Sequence, residues 1–123
     1  MKFILGVPVA FNHFHIYSSN PEELQKWYEK YFGTKFPAGQ GFPGGAIFFS
    51  AQAAPPRVPT KGHAIDHIGF EVKNLDEICK KFEAEGFKMD TGIISAPQIG
   101  LRVAFVTDPA GTRIELTEGL GNK

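Results

Sequence analysis

The chain has 123 residues, a length typical of one domain, and its 42% hydrophobic content is enough for a buried core. Thirteen Lys and Arg residues balance thirteen Asp and Glu residues, so the formal net charge of zero gives no electrostatic basis for binding nucleic acid or an anionic membrane. Cys79 is the only cysteine, which excludes an internal disulfide and a cysteine-based zinc cluster and favours a reducing, cytoplasmic location.

The sequence repeats itself at an offset of 54 residues, so that the segment 12–23 resembles the segment 66–77. Identical pairs that follow this offset include His13 and His67, Asn20 and Asn74, Glu23 and Glu77, Lys26 and Lys80, and Glu29 and Glu83. We therefore predict a single domain over residues 1–123 that contains two modules, about 10–50 and about 64–119. The proline-containing segment 51–63 is the predicted linker between them.

The first module begins with an alternating segment, His13–Tyr17, which predicts a strand with its histidines on one face and its apolar residues on the other. Asn20 is a good N-cap and Gly33 a good C-terminal stop, so a helix is predicted between them. Its apolar stripe is Leu24, Trp27, Tyr28 and Tyr31. After a loop over Thr34–Gly45, a further strand is predicted over Ala46–Ser50.

The second module repeats this order. A strand beginning at His67 leads to a helix that starts at the cap Asn74 and ends at Gly86. Three more strands are predicted over Phe87–Ile94, Leu101–Thr107 and Thr112–Thr117, with a loop through Ala96-Pro97 and a tight turn over Asp108–Gly111. The fold class predicted is α+β, with two βαβββ modules whose curved mixed sheets form a metal-binding cleft.

Three side chains are expected to converge on the faces that the helices leave free. His13 and His67 open equivalent strands, and Glu115 alternates with Ile114 and Leu116 on the last strand. Two imidazoles and one carboxylate are a recurrent ligand set for Fe(II), and zinc or manganese accept the same set. We therefore predict that His13, His67 and Glu115 bind a divalent metal ion.

Three further residues are candidate catalytic groups because they share these faces. His15 lies two residues from His13, and we predict a general acid or base, a substrate ligand or a replacement fourth metal ligand. Tyr17 and Glu71 lie further along the two opening strands and are predicted to line the pocket.

The motifs resemble those of the vicinal oxygen chelate superfamily, which includes glyoxalase I, extradiol dioxygenases, fosfomycin-resistance proteins and bleomycin-resistance proteins. The resemblance runs from Ala10 to Leu120 and is carried by three segments: Asn12–Phe14 with Tyr28–Gly33, Ile65–Phe70, and Thr107–Leu116. It implies a metal-dependent enzyme, with Fe, Zn, Mn or Ni, that acts on a small substrate chelating through vicinal oxygens. It also implies a homodimer.

The resemblance places His13, His67 and Glu115 at three of the family's ligand positions. Aligning Gly45–Phe49 with Gly111–Glu115 places Phe49 at the fourth position, where a phenyl ring cannot bind a metal. Glyoxalase I uses that fourth group as ligand and base. The three-ligand pattern therefore favours an extradiol-dioxygenase-like reaction, followed by a lyase or isomerase reaction.

The alternative is a binding module, like the bleomycin-resistance proteins, that sequesters a small aromatic compound without chemistry. Such proteins typically lack the ligand set, so His13, His67 and Glu115 favour the enzyme. The twelve phenylalanines are compatible with either function.

Overall fold

The computed structural model describes residues 5–34, 41–42, 44–51 and 57–120. The chain divides into two compact units, Met1–Arg57 and Val58–Lys123, and the division falls inside the predicted linker. Each unit contains one of the two repeats. The predicted loop Thr34–Gly45 and the predicted linker lie partly outside the described residues.

The first unit contains strand β1 (His13–Ser18), helix α1 (Pro21–Phe32) and strand β2 (Ala46–Ala51). Helix α1 begins where the Asn20 side chain accepts the Glu23 N–H, and it ends at Gly33, whose φ of 67° is left-handed. Both ends agree with the sequence prediction. An asparagine cap and a left-handed glycine end a helix well because they provide hydrogen-bond partners for backbone groups that have none within the helix.

Strands β1 and β2 pair in parallel, with His13 opposite Ala46 and Tyr17 opposite Ser50. The predicted alternation of β1 is confirmed: Ile16 is buried, whereas His13, His15 and Tyr17 are exposed. The predicted stripe of α1 is buried, with Leu24, Trp27, Tyr28 and Tyr31 each at most 8% exposed. Helix α1 packs on β1 and β2, so the histidine face is the one that the helix leaves free.

The second unit shows the complete βαβββ order: β3 (Ile68–Glu71), α2 (Leu75–Ala84), β4 (Ile94–Ala96), β5 (Leu101–Thr107) and β6 (Arg113–Glu118). The strands form one mixed sheet in the order β3-β6-β5-β4. Strand β3 runs parallel to β6, and the other pairs are antiparallel. Strand β6 therefore lies between β3 and β5, and residues on it are flanked by side chains from both neighbours.

One face of this sheet packs against α2. Leu75 and Phe82 of the helix are fully buried, as are Ile114 and Leu116 of β6. Cys79 is also buried, and burial raises the pKa of its thiol, so it behaves as a small apolar core residue rather than a nucleophile. The α+β class is confirmed by this arrangement. Across the described residues, neither helix combines the length and the apolar character needed to span a bilayer.

The strand predicted over Phe87–Ile94 is wrong for most of its length, because β4 covers Ile94–Ala96 instead. Upstream of β4 the backbone N–H groups of Asp90 and Thr91 both donate to the Phe105 carbonyl. Side chains supply further bonds: Thr91 Oγ1 accepts the Phe105 N–H at 3.0 Å, and Asp90 accepts the Thr107 hydroxyl at 2.6 Å. The Phe105 N–H, which a regular antiparallel ladder would pair with a backbone carbonyl, is therefore bonded to a side chain.

The start of α2 offers a direct test of this fold. Asn74 caps the helix by accepting the Glu77 N–H at 3.0 Å. We expect Asn74→Ala to lower the free energy of unfolding by about 1 kcal/mol, measured by urea denaturation. Asn74→Asp keeps an acceptor oxygen and should retain nearly all of the stability. Equal losses in the two variants would show that the cap does not stabilise the helix.

Candidate functional site

Glu115 lies at the centre of the sheet in the second unit. Its neighbours are Gly69 on β3 and Phe105 on β5. Because Ile114 and Leu116 are buried on the helix side, Glu115 projects from the opposite face, where its side chain is 27% exposed. Gly69 places no side chain beside the carboxylate, and a Cβ there would make only an ordinary van der Waals contact with Glu115 Oε1, at 3.9 Å.

His67 lies next to this carboxylate, one residue before β3. Its Nε2 is 3.7 Å from Glu115 Oε1, and its ring meets the Phe105 ring edge to face at 5.4 Å. The separation of 3.7 Å is longer than a good N–H···O hydrogen bond. It fits two ligands of one metal ion, since a nitrogen donor at about 2.1 Å and an oxygen donor at about 2.2 Å from an ion lie at most about 4.3 Å apart.

Asp66 contacts the other nitrogen of the same imidazole. Its Oδ1 lies 2.7 Å from His67 Nδ1, and its Oδ2 accepts the Gly62 N–H at 2.6 Å. The Arg113 guanidinium donates to Oδ1 at 3.3 Å. The Gly62 bond, followed by the His67 bond, lowers the pKa of Asp66 to about 2. Sequence reasoning did not assign Asp66 a role, although its position before a repeated histidine was the available signal.

Arg113 connects this group to β6. Its guanidinium stacks over the Phe105 ring at 3.9 Å, and its backbone N–H donates to Thr60 Oγ1 at 2.8 Å. The Thr60 hydroxyl in turn donates to the Asp66 carbonyl at 2.8 Å. The segment that carries Asp66 is therefore attached to β6 through both backbone and side chains.

The first unit carries the equivalent histidine. His13 Nδ1 lies 2.5 Å from Asn12 Oδ1, and its ring meets the Phe48 ring edge to face at 4.9 Å. His15 also contacts Phe48. The two rings are stacked, with their centres 5.2 Å apart and an interplanar angle of 28°. His15 Nδ1 lies 3.1 Å from Ser50 Oγ. The exposed His13 and His15 and the half-buried Phe48 thus form one cluster on the free face of β1 and β2.

The two remaining candidate residues have different surroundings. Tyr17 continues the face of His15, 45% exposed, with the Arg57 guanidinium 5.2 Å from its ring centre. Glu71 accepts the Thr117 hydroxyl at 2.7 Å and the Gly119 N–H at 2.9 Å. These bonds give Glu71 a structural role at the end of β6, and its catalytic role stays a prediction.

The sheet registers correct the residue assigned to the fourth ligand position. Phe14 pairs with Ile47 in the first unit, and the repeat-equivalent Ile68 pairs with Ile114 in the second. One residue further along, Phe48 and not Phe49 is therefore the counterpart of Glu115. Phe49 instead packs against Tyr28 of α1, with ring centres 5.1 Å apart. Alignment on Gly45 was wrong by one residue, which in a strand exchanges the two faces.

Of the predicted ligands, the structure brings His67 and Glu115 together within the second unit, whereas His13 belongs to the first unit. Over residues 5–34, 41–42, 44–51 and 57–120, no group of three or more His, Cys, Asp or Glu side chains is arranged to hold a metal ion. The candidate centre visible within one unit is thus a nitrogen–oxygen pair.

Comparison with known sequences decides the family. The sequence profile of the Glyoxalase/Bleomycin resistance protein/Dioxygenase superfamily matches residues 10–116. The chain belongs to this superfamily. No curated protein sequence matches it significantly.

Solved structures agree with the superfamily fold. A genomically encoded fosfomycin resistance protein from Listeria monocytogenes is 17% identical, with a TM-score of 0.69 and coverage of 95% of each chain. A lactoylglutathione lyase from Agrobacterium tumefaciens is 19% identical, with a TM-score of 0.61 and coverage of 91% of this chain and 95% of the other. At these identities the likeness establishes the fold alone.

The lowered pKa of Asp66 predicts an acid dependence of stability. Above pH 3.8 the carboxyl is ionised whether the chain is folded or unfolded; between pH 3.8 and about 2 only the unfolded chain takes up the proton, so stability falls as pH falls. We expect the stability difference between the native protein and Asp66→Asn to shrink across this window. Thermal unfolding at several pH values measures it, and a difference that does not change with pH would contradict the assignment.

Proposed function

We propose that this member of the superfamily is a metal-dependent enzyme whose divalent ion is bound by His67, Glu115 and His13. The observation that supports the proposal most is the pair formed by His67 Nε2 and Glu115 Oε1, 3.7 Å apart on the free face of the sheet. A neutral imidazole nitrogen and a carboxylate oxygen at this separation can share a cation without rearrangement of the sheet.

The third ligand in the proposal is His13, from the first unit or from that of a second chain. It is the repeat equivalent of His67, and its Nδ1 is engaged by the preceding residue in the same way, which leaves Nε2 for a metal. Phe48 at the fourth position cannot be a ligand, which counts against the chemistry of glyoxalase I. A homodimer, a cytoplasmic location and a small-molecule substrate complete the proposal.

Two nitrogen donors and one oxygen donor suit Fe(II), Zn, Mn or Ni, and such a set leaves positions for substrate. The bound ion would supply a Lewis acid for a substrate that chelates through adjacent oxygens, or a site for oxygen activation. An extradiol-dioxygenase-like reaction is our first choice, followed by a lyase or isomerase reaction.

His15 is the proposed proton-transfer residue. Its ring is held on Phe48 by stacking at 5.2 Å, and the Ser50 hydroxyl at 3.1 Å from Nδ1 can serve as donor or acceptor. An imidazole in this setting can accept or release a proton at either nitrogen. Tyr17 and Glu71 are proposed to line the substrate pocket, and Phe48 and Phe105 would exclude water beside the ligands.

Metal content tests the ligand set directly. After exposure to Fe(II), Zn²⁺, Mn²⁺ and Ni²⁺ and exhaustive dialysis, elemental analysis should find about one ion per chain for one of them. His67→Ala, Glu115→Ala and His13→Ala should each lose most of this metal, because a remaining pair of ligands binds weakly. His63→Ala is the matched control, since His63 is an exposed loop residue, and it should retain the metal. Unchanged metal content in His67→Ala would refute the proposal.

The role of His15 is tested separately. Across a panel of catechols, 2-oxoaldehydes and acyl thioesters, the substrate that turns over should do so about 10²–10⁴-fold more slowly with His15→Ala. The metal content should remain that of the native protein. Equal loss of metal and turnover would identify His15 as a ligand instead. Binding of an aromatic compound with no turnover and no metal requirement would favour the binding-module function.

A further inference from the structure

Each of the two proposed ligand histidines directly follows a residue whose side-chain oxygen contacts its Nδ1. In the first unit Asn12 Oδ1 lies 2.5 Å from His13 Nδ1, and in the second Asp66 Oδ1 lies 2.7 Å from His67 Nδ1. The two pairs are separated by the same 54 residues that relate the modules. The contact is therefore a property of the repeat and not of one loop.

We propose that Asn12 and Asp66 are positioning residues that keep the proton of each following imidazole on Nδ1, so that Nε2 presents its lone pair to a cation.

The donors around Asp66 determine the direction of its bond to His67. The Gly62 N–H at 2.6 Å and the Arg113 guanidinium at 3.3 Å can only donate, so the carboxylate accepts from both. An ionised carboxylate has no proton to give, and the third partner, His67 Nδ1, must therefore donate as well. In a neutral imidazole a proton on Nδ1 leaves Nε2 as the acceptor.

Asn12 produces the same result by different chemistry. An amide oxygen is an acceptor only, so its contact with His13 Nδ1 requires the imidazole to be the donor. An aspartate at one repeat and an asparagine at the other share this property. The common requirement is an oxygen that can accept, and a negative charge is not needed.

The consequence is clearest at His67. Its Nε2 lone pair and the Glu115 carboxylate are both electron-rich and lie 3.7 Å apart, so a cation between them would satisfy both groups. Fixing the ring and its tautomer in advance through an outer carboxylate or amide strengthens metal binding. This consequence rests on the proposed function, whereas the tautomer itself does not.

His15 provides an internal contrast. Its Nδ1 faces the Ser50 hydroxyl, which donates or accepts equally well and so does not select a tautomer. The repeat-equivalent residue in the second unit is Gly69, so this arrangement has no counterpart there. The structure therefore separates two histidines with a fixed tautomer from one whose proton can move.

Nitrogen-15 NMR of histidine-labelled, metal-free protein at alkaline pH tests the tautomers without any metal. His13 and His67 should carry their protons on Nδ1. In Asn12→Ala the His13 signals, and in Asp66→Ala the His67 signals, should shift toward a mixture of tautomers, while the His15 signals stay unchanged in Asp66→Ala. A native protein with His67 protonated on Nε2 overturns the proposal, as does an unchanged tautomer in the folded Ala variants.

Exchanging the Asn12 and Asp66 side chain types between the repeats distinguishes a positioning role for these residues from general structural support. Asp66→Asn copies the first repeat and Asn12→Asp copies the second, so both should keep the native tautomers and bind Zn²⁺ within a few-fold of the native affinity in calorimetric titration. The Ala variants should bind Zn²⁺ about 10–100-fold more weakly. If exchange and Ala variants lose affinity equally, an acceptor oxygen is not what matters and the proposal fails. If the native protein binds none of Fe(II), Zn²⁺, Mn²⁺ and Ni²⁺, the proposed function is refuted, whereas the NMR result on the tautomers stands apart from it.

Discussion

The two-residue period of the strands is the constraint on which the rest of the structure depends. In β6 it places Ile114 and Leu116 against α2 and Glu115 on the opposite face. In β1 it buries Ile16 and exposes His13 and His15. Because each helix covers only one face of its strands, every side chain with candidate chemistry is collected on the other face. A shift of one residue in any of these strands would bury the candidate ligands and expose the core.

The same period explains how much could be predicted from the sequence. The faces of β1 and β6, the caps Asn20 and Asn74, and the buried stripe of α1 follow from local patterns, and the structure agrees with each. These features depend on residues within a few positions of one another, so a single sequence contains the necessary information.

Features that depend on pairing between distant segments were harder to predict. The counterpart of Glu115 is Phe48 because of the sheet registers, which glycine alignment could not provide. Within the strand predicted over Phe87–Ile94, Asp90 and Thr91 bond to β5 through side chains as well as backbone, and the side-chain bonds join residues 14 and 17 positions apart in the chain. The contact of Asp66 with Arg113 likewise joins residues that the sequence separates by a whole module.

The two repeats share one structural feature of the candidate site and differ in another. An acceptor oxygen followed by a histidine is retained in both, as Asn12-His13 and Asp66-His67. The adjacent positions differ, since the first unit has His15 stacked on Phe48 where the second has Gly69 beside Glu115.

This difference suggests separate roles for the two repeats in the proposed enzyme, one in binding the ion and the other in proton transfer. A carboxylate beside His67 favours a cation, and Gly69 places no side chain beside the carboxylate. An aromatic ring beside His13 provides no ligand, but it supports an additional imidazole whose nitrogen faces a hydroxyl that can donate or accept. In the proposed enzyme Glu115 would therefore supply negative charge beside the ion, and His15 would exchange protons with the substrate. A carboxylate in place of Phe48 would add an oxygen donor to the free face of β2 but remove the ring on which His15 stacks. At this position the first unit thus has a ring that supports His15, where the second unit has the carboxylate of Glu115.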